Sequence, residues 1–422
     1  MAYKQRVADA LLERKLQGKG AVLIEGPKWC GKTTTAKQIA KCVLDLGDSD
    51  VFNQSERMIA LSASTLLEGA TPRLIDEWQT LPALWDSIRT AVDKRSEFAQ
   101  FILTGSAVPP KEKTRHSGTG RIGRLRMRPM SLWESGESDG RVSLSALFNG
   151  EQIGVLHCEN DLNLLAFLTC RGGWPQATLL SGELALDQAI DYYEAVTNTD
   201  IQRVDDVKRS PERARMLLRS YARYIATQTP YSTLRADMLQ HYSQTLNEDT
   251  VIDYADALRK IFVIEDSEAW NPNLRSKTVI RTSDTRYFVD PSIAAAALGI
   301  GPNDLINDLQ TFGLLFENLV VRDLRVYADA LNGKIYHYRD ANGLECDAVL
   351  HRRDGSYGLI EVKLGGTDNI DAGATTLNKL ATNIDTSKMK APAFMMVVIG
   401  VGPYAYQRPD GVYVIPINLL KP

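Results

Sequence analysis

Cysteine is scarce and scattered in this chain. The five residues, Cys30, Cys42, Cys158, Cys170 and Cys346, form no C-x-x-C pair. That spacing excludes a disulfide framework and a cysteine zinc site, and predicts reduced thiols in a cytoplasmic chain. Histidine is equally thin, with five dispersed residues, which removes the other common zinc ligand. No apolar run approaches the roughly 20 residues needed to cross a bilayer. The start, Met1-Ala2-Tyr3-Lys4-Gln5-Arg6, leads into a charged amphipathic segment unlike a signal peptide. Neither charge sign is in excess: the net charge is −3, so any nucleic-acid surface must be a local patch. What is present is ordinary for a globular protein, 44% hydrophobic and 24% charged residues. A length of 422 residues predicts about two to three domains.

The densest chemical signal is Gly26-Pro27-Lys28-Trp29-Cys30-Gly31-Lys32-Thr33, a complete G-x-x-x-x-G-K-T loop. The apolar run Ala21-Val22-Leu23-Ile24 precedes it, and residues 32–44 read as a helix after it, with Thr34 in the first turn. Strand, loop and helix in that order make the pattern a phosphate site. Its glycines let backbone N–H groups close around phosphate oxygens, and the helix start adds a positive dipole end. Lys32 is placed to reach the β- and γ-phosphates of ATP, and Thr33 to set its hydroxyl on Mg²⁺. Met58-Ile59-Ala60-Leu61 reads as the next strand. Arg73-Leu74-Ile75-Asp76-Glu77 then ends a short apolar strand in two acids, with Asp76 44 positions after Lys32. Asp76 suits Mg²⁺ held through water, and Glu77 suits polarising the attacking water.

Leu84 to Lys94 carries apolar residues at helical spacing. Phe101-Ile102-Leu103-Thr104-Gly105-Ser106 is a buried strand with a small polar end. In a parallel sheet that end faces the ligand crevice, so Thr104 or Ser106 can sense the γ-phosphate, or simply mark the strand's exit. Residues 111–128 hold Lys111, Lys113, Arg115, Arg121, Arg124, Arg126 and Arg128 against the single acid Glu112. Three uses are open: an arginine finger for a neighbouring subunit, with Arg121 and Arg124 the candidates; contact with a nucleic-acid backbone; or a solvated basic face.

Residues 120–134 and 171–175 complete a recognisable order. The phosphate loop, Leu74-Ile75-Asp76-Glu77-Trp78-Gln79, Leu103-Thr104-Gly105-Ser106, Gly120-Arg121 with Arg128-Pro129-Met130-Ser131-Leu132-Trp133-Glu134, and Arg171-Gly172-Gly173-Trp174-Pro175 follow one another. The chain thereby resembles bacterial and archaeal AAA-type P-loop ATPases that carry a C-terminal restriction-endonuclease-like (PD-(D/E)XK-type) domain, over roughly residues 15–365. The resemblance implies an α/β protein with an AAA-type ATPase core at 1–135, a helical lid at 136–209 and a nuclease-like α/β domain at 296–422, and the pattern of residues 210–295 between them reads as a winged-helix-like segment. It also suggests a homo-oligomer, such as a hexameric ring.

The residues themselves support the last two parts. Helical patterns from Glu212, Ser232 and Asn247 precede two strand-like runs, Phe262-Val263-Ile264-Glu265 and Arg286-Tyr287-Phe288-Val289-Asp290, which is a winged-helix order. The third helix carries Asp249, Asp253 and Asp256, with only Arg259 and Lys260 basic, which favours packing over base reading. Phe312 to Ala330 reads as a helix containing Glu317, Lys334 to Tyr338 as a strand, and Gly343–Leu350 and Gly358–Lys363 as a hairpin. Asp347 and Glu361 lie 14 positions apart on adjacent strands, and Glu361 and Lys363 share a face. This D-x(n)-E-x-K arrangement can hold Mg²⁺ on Asp347 and Glu361 with Glu317 completing the shell, while Lys363 orients or deprotonates water. The expectation is an ATPase coupled to a Mg²⁺-dependent site acting on DNA. Its rival is an ATP-dependent switch or scaffold whose nuclease-like domain does not cleave and binds DNA or a protein partner.

Overall fold

The computed structural model describes residues 3–106, 118–205, 207–240, 246–273, 275 and 280–422. Lys111, Lys113 and Arg115 of the basic segment lie outside the described residues. The chain forms two compact units. Among the described residues no helix is long and apolar enough to cross a membrane, and all five cysteines are free thiols.

The first unit comprises Met1–Pro129, Asn198–Pro211 and Asp256–Val263. Its strands are β1 (Ala21–Glu25), β2 (Cys42–Asp45), β3 (Arg73–Asp76), β4 (Phe101–Gly105) and β5 (Ile122–Arg126), and its helices α1 (Val7–Leu16), α2 (Lys32–Ile39), α3 (Ser49–Leu66) and α4 (Leu84–Arg95). The five strands form one parallel sheet in the order β2-β3-β4-β1-β5. Strands of such a sheet are covered on both faces and read as unbroken apolar runs; Val22, Ile24, Ile75, Ile102 and Leu103 are wholly buried. Trp78 and Trp85 pack on the sheet with ring centroids 4.7 Å apart.

Two sequence expectations fail in this unit. Met58-Ile59-Ala60-Leu61, predicted as a strand, lies within α3. Asp48 caps that helix by accepting from the N–H groups of Asp50 and Val51. Of the four residues only Ile59 packs on the core, whereas Leu61 is 88% exposed, a helical pattern of burial. The helix predicted over 32–44 stops at Ile39, and Cys42–Asp45 runs on as β2 beside β3. Leu44 is buried and Val43 exposed, the alternation of a strand.

The second unit comprises Met130–Thr197, Glu212–Ala255 and Ile264–Pro422. It opens with α5 (Leu132–Ser135), β6 (Val142–Ser143), α6 (Leu144–Phe148), β7 (Leu156–His157), α7 (Leu162–Arg171) and α8 (Glu183–Asn198). Helices α9 (Pro211–Arg223), α10 (Tyr231–Leu239) and α11 (Glu248–Lys260) follow, the last of which passes into the first unit at Asp256. The two runs predicted as hairpin strands meet through isolated antiparallel bridges, Ile264 with Phe288 and Ser267 with Thr285, so the pairing is found without continuous strands. Then come α12 (Pro291–Leu298), α13 (Pro302–Asn307), α14 (Leu309–Ala330), β8 (Gly333–Arg339), β9 (Glu345–Arg352), β10 (Tyr357–Lys363), α15 (Thr367–Asn383), β11 (Phe394–Ile399), β12 (Tyr404–Gln407), β13 (Tyr413–Pro416) and β14 (Leu420–Lys421).

Seven of these strands form a mixed sheet in the order β7-β12-β13-β11-β10-β9-β8. β8, β9 and β10 are antiparallel, and α15 carries the chain from β10 to the parallel β11. Val349, Tyr357, Leu359, Val397 and Val414 pack with Leu377 and Leu380 of α15. α14 is tied to the 286–290 segment by its polar residues. The Asn318 side chain accepts from the Phe288 N–H at 3.1 Å and donates to the Phe288 carbonyl at 2.9 Å.

Candidate functional site

The register of the first unit's sheet brings its polar strand ends together. Ile75 pairs with Leu103, so the following residues, Asp76 and Thr104, stand side by side. The Asp76 carboxylate accepts from the Thr33 hydroxyl at 2.8 Å and from the Thr104 hydroxyl on the same oxygen. The sequence expects Thr33 and Asp76 on one ligand; the structure puts them in direct contact, with Thr104 bound to Asp76. Lys32 is 6% exposed, and its ammonium donates to the carbonyls of Gly26 at 3.0 Å and Pro27 at 2.7 Å. Gly26 is forced to be glycine. Its φ is 156°, and a Cβ there would stand 2.0 Å from the Met127 carbonyl oxygen. Gly31, at φ 99°, starts α2 without a side-chain cap, which leaves backbone N–H groups at the helix start for an anion.

The rest of the loop is held by groups that sequence reading does not reach. The Arg6 guanidinium donates to the Cys30 carbonyl at 2.9 Å and to that of Arg128 at 2.8 Å. Cys30 is buried, Trp29 is half exposed at φ 63°, and Lys28 pairs with Asp200. Thr34 is exposed in the first turn of α2. Glu77 adopts a left-handed conformation at φ 53°, and its carboxylate accepts from the Gln79 amide. Both arginine-finger candidates have acid partners on their own unit: Arg121 with Asp93 at 2.9 Å and Arg124 with Glu25 at 2.8 Å.

In the second unit the β9–β10 hairpin pairs Ala348 with Ile360, and the next residues along the two strands are Asp347 and Glu361. The Val362 N–H donates to Asp347 Oδ2 at 2.8 Å, and the Lys363 ammonium lies 2.6 Å from Glu361 Oε2 and 3.4 Å from Asp347 Oδ2. The three predicted residues therefore meet. Burial, followed by the Asp347 charge, pushes Glu361 up to about 8. Burial draws the Lys363 ammonium down, but Asp347 and Glu361 outweigh it, and the pKa rises above the ordinary lysine value.

Glu317 reaches the same electrostatic neighbourhood from α14. Burial and the Asp347 charge raise it well above the usual carboxylate range. Its Oε1 accepts from the hydroxyl of Tyr287 at 2.5 Å, and Tyr287 is fully buried. Among the described residues no three His, Cys, Asp or Glu side chains form a ready metal cage.

Tyr287 escapes sequence reading because a tyrosine in an apolar run looks like core. A buried charge network escapes it too. Arg322 pairs with Asp290 at 2.9 Å and Asp323 at 2.7 Å, all three essentially unexposed. Asp323 also accepts from the Leu132 N–H, and burial holds it up at about 6 against the pull of Arg322. Asp290 further accepts from Gly173 N–H, and Ser292 accepts from the Trp174 indole. The Gly-Gly-Trp motif is therefore anchored at the start of α12. A Cβ on Gly173 would meet the Met130 carbonyl oxygen at 2.0 Å.

Comparison with known proteins assigns part of this. Residues 18–135 match the family model described as an AAA domain. The matched stretch contains the phosphate loop and the parallel sheet, the features expected of a P-loop ATPase domain. Residues 162–304 and 312–420 match two further models, each described as a domain of unknown function (DUF8612 and DUF4143). The chain is similar to uncharacterized proteins of Mycobacterium bovis and Mycobacterium tuberculosis, each 24% identical over 391 residues, 88% of this chain and 76% of theirs. Among solved structures it is similar to a Walker-type ATPase of Pyrococcus abyssi, with a TM-score of 0.41 and 13% identity over 69% of this chain and 94% of that one.

Proposed function

We propose that the chain hydrolyses ATP at the phosphate loop and that its C-terminal sheet carries a Mg²⁺-dependent, nuclease-type site acting on DNA. The observation that carries the second half is the meeting of Asp347, Glu361 and Lys363 on one hairpin. In the ATPase half, Gly26 to Thr34 cradle the phosphates and Lys32 leaves its two carbonyls for the β- and γ-oxygens. Thr33 and Asp76 are a hydroxyl–carboxylate pair of the kind that holds the nucleotide's Mg²⁺. Glu77 orients water, and Thr104 fixes Asp76.

Asp347 and Glu361 suit a second Mg²⁺, which commonly takes one or two carboxylates and keeps waters. Burial and the neighbouring Asp347 carboxylate raise the pKa of Glu361, and a bound cation would favour its charged form. Bound there, the ion supplies charge neutralisation on a phosphate and acidifies a water. Lys363 orients that water, and Glu317, held by Tyr287, completes the shell. A core at 1–135, a lid at 136–209, a winged-helix-like segment at 210–295 and a nuclease-like domain at 296–422 form the proposed division of labour. A cytoplasmic homo-oligomeric ring, in which Arg121 or Arg124 leaves its acid for a neighbour's γ-phosphate, completes the proposal; a strictly monomeric mass with ATP bound overturns the ring.

The deciding assay incubates plasmid and linear DNA with Mg²⁺ or Mn²⁺. Wild type should cut and Asp347→Ala should not; DNA left equally intact by both removes the nuclease reading. A second reading makes the C-terminal sheet a non-cleaving scaffold for DNA or a protein partner. Lys363 favours it, because its ammonium already compensates both acids. Binding of DNA without cleavage would establish it.

A further inference from the structure

The phosphate loop has a partner from far along the chain. The Lys28 ammonium lies 2.6 Å from Asp200 Oδ1, 172 positions later. The Asp200 side chain is 9% exposed and that of Lys28 44%. Asp200 opens a short turn, Asp200–Gln202, whose Ile201 is fully buried. Farther on, Asp205 binds both Arg209 and Lys260. The acid is therefore anchored on both sides, while Lys28 reaches it on a flexible stem from the rim of the loop. Lys32 rests on neutral carbonyls. Lys28 is thus the loop lysine whose charge a full carboxylate offsets.

We infer that Asp200 is a positioning residue of the nucleotide site: through Lys28 it sets how strongly the loop attracts a nucleoside polyphosphate. This rests on nucleotide binding at the loop. Phosphate oxygens arriving at the rim compete with one carboxylate for Lys28, and the same carboxylate repels them. Both effects grow with the number of phosphates on the ligand, because the energy scales with its charge. Asp200 therefore tempers binding of the triphosphate most and leaves the nucleoside untouched.

The test titrates ATP, ADP and adenosine into the full chain by calorimetry. Asp200→Asn should bind ATP about 3- to 10-fold tighter than wild type at low salt. The gain should be smaller for ADP, absent for adenosine, and should shrink as ionic strength rises. Asp200→Glu, which keeps the pair, should stay near wild type; where Asp200→Asn folds poorly, a folded Asp200→Ser should show the same gain. A purely structural role would lower stability without this dependence on phosphate number and salt. ATP affinity in Asp200→Asn and Asp200→Ser equal to or below wild type, or a gain shared by adenosine, overturns the inference. Wild type that shows no ATP binding sensitive to Lys32→Ala overturns the nucleotide reading itself, and this inference with it.

Discussion

The phosphate loop and the Asp347 cluster use the same ingredients, a lysine and strand-borne carboxylates, and settle them in opposite ways. Lys32 rests on two carbonyls and Asp76 on two hydroxyls, so cation and anion remain separately supported. Lys363 lies directly on Glu361 and Asp347. The first arrangement keeps its lysine and its backbone N–H groups available to an anion at little cost. The second is largely self-compensated, and must move its lysine or gain a cation before it can act on a phosphate. Supporting charges with neutral dipoles leaves a site open; pairing them with each other closes it.

Lys32→Ala offers the most severe way to break this contrast. It should cut ATP turnover by about 1,000-fold or more, measured by phosphate release; turnover near wild type would end the claim that Lys32 serves the phosphates. Next in size is the buried network of the second unit. Arg322→Leu strands Asp290 and Asp323 without their cation and should cost about 3–5 kcal/mol in urea unfolding. A loss below about 1 kcal/mol would mean that these acids are otherwise compensated.

The pH dependence of Glu361 sharpens the contrast from inside the second site. Its folded pKa is raised to about 8, above the ordinary carboxylate value of about 4.3. The folded chain therefore binds more protons between those values, and the group's stability contribution is full below about 4.3 and lost as pH rises through about 8. Glu361→Gln should flatten stability over that window in metal-free buffer; an unchanged slope excludes Glu361 as the titrating group. Tyr287→Phe should cost about 1–2 kcal/mol, the loss expected when a buried carboxyl group gives up its hydroxyl partner. Smallest of all, Arg124→Ala breaks a pair that is 52% exposed on the arginine side and should change stability by about 0.5 kcal/mol or less.

Motifs whose chemistry is local in sequence are the ones that can be read from it. The phosphate loop, the Asp76 strand end and the Glu361-x-Lys363 alternation each lie within one element and its exit, so residue type and spacing carry them. The α3 helix reads wrongly as a strand because Met58 to Leu61 is apolar without being buried, and composition alone cannot show that Leu61 faces water. Asp200, Tyr287 and Arg6 are invisible for another reason. Each acts on a partner that only the folded chain brings near, and their surrounding sequence has no pattern of its own. The same holds for Arg322, whose charge on a mostly apolar helix looks like a solvated face until Asp290 and Asp323 close around it.

The pairing of β7 with β12 bears on how the second unit can be taken apart. Leu156–His157 covers the outer edge of Tyr404–Gln407, with the His157 and Tyr404 rings 5.5 Å apart. A fragment beginning at residue 296 would contain every predicted catalytic residue of the hairpin yet lack this two-residue cover. Its sheet would end in a bare row of backbone donors and acceptors, the kind of edge that recruits a strand from another molecule. In the whole chain, closing that edge joins residues nearly 250 positions apart, a contact that slows folding and makes the integrity of the C-terminal sheet depend on a short stretch upstream of α7.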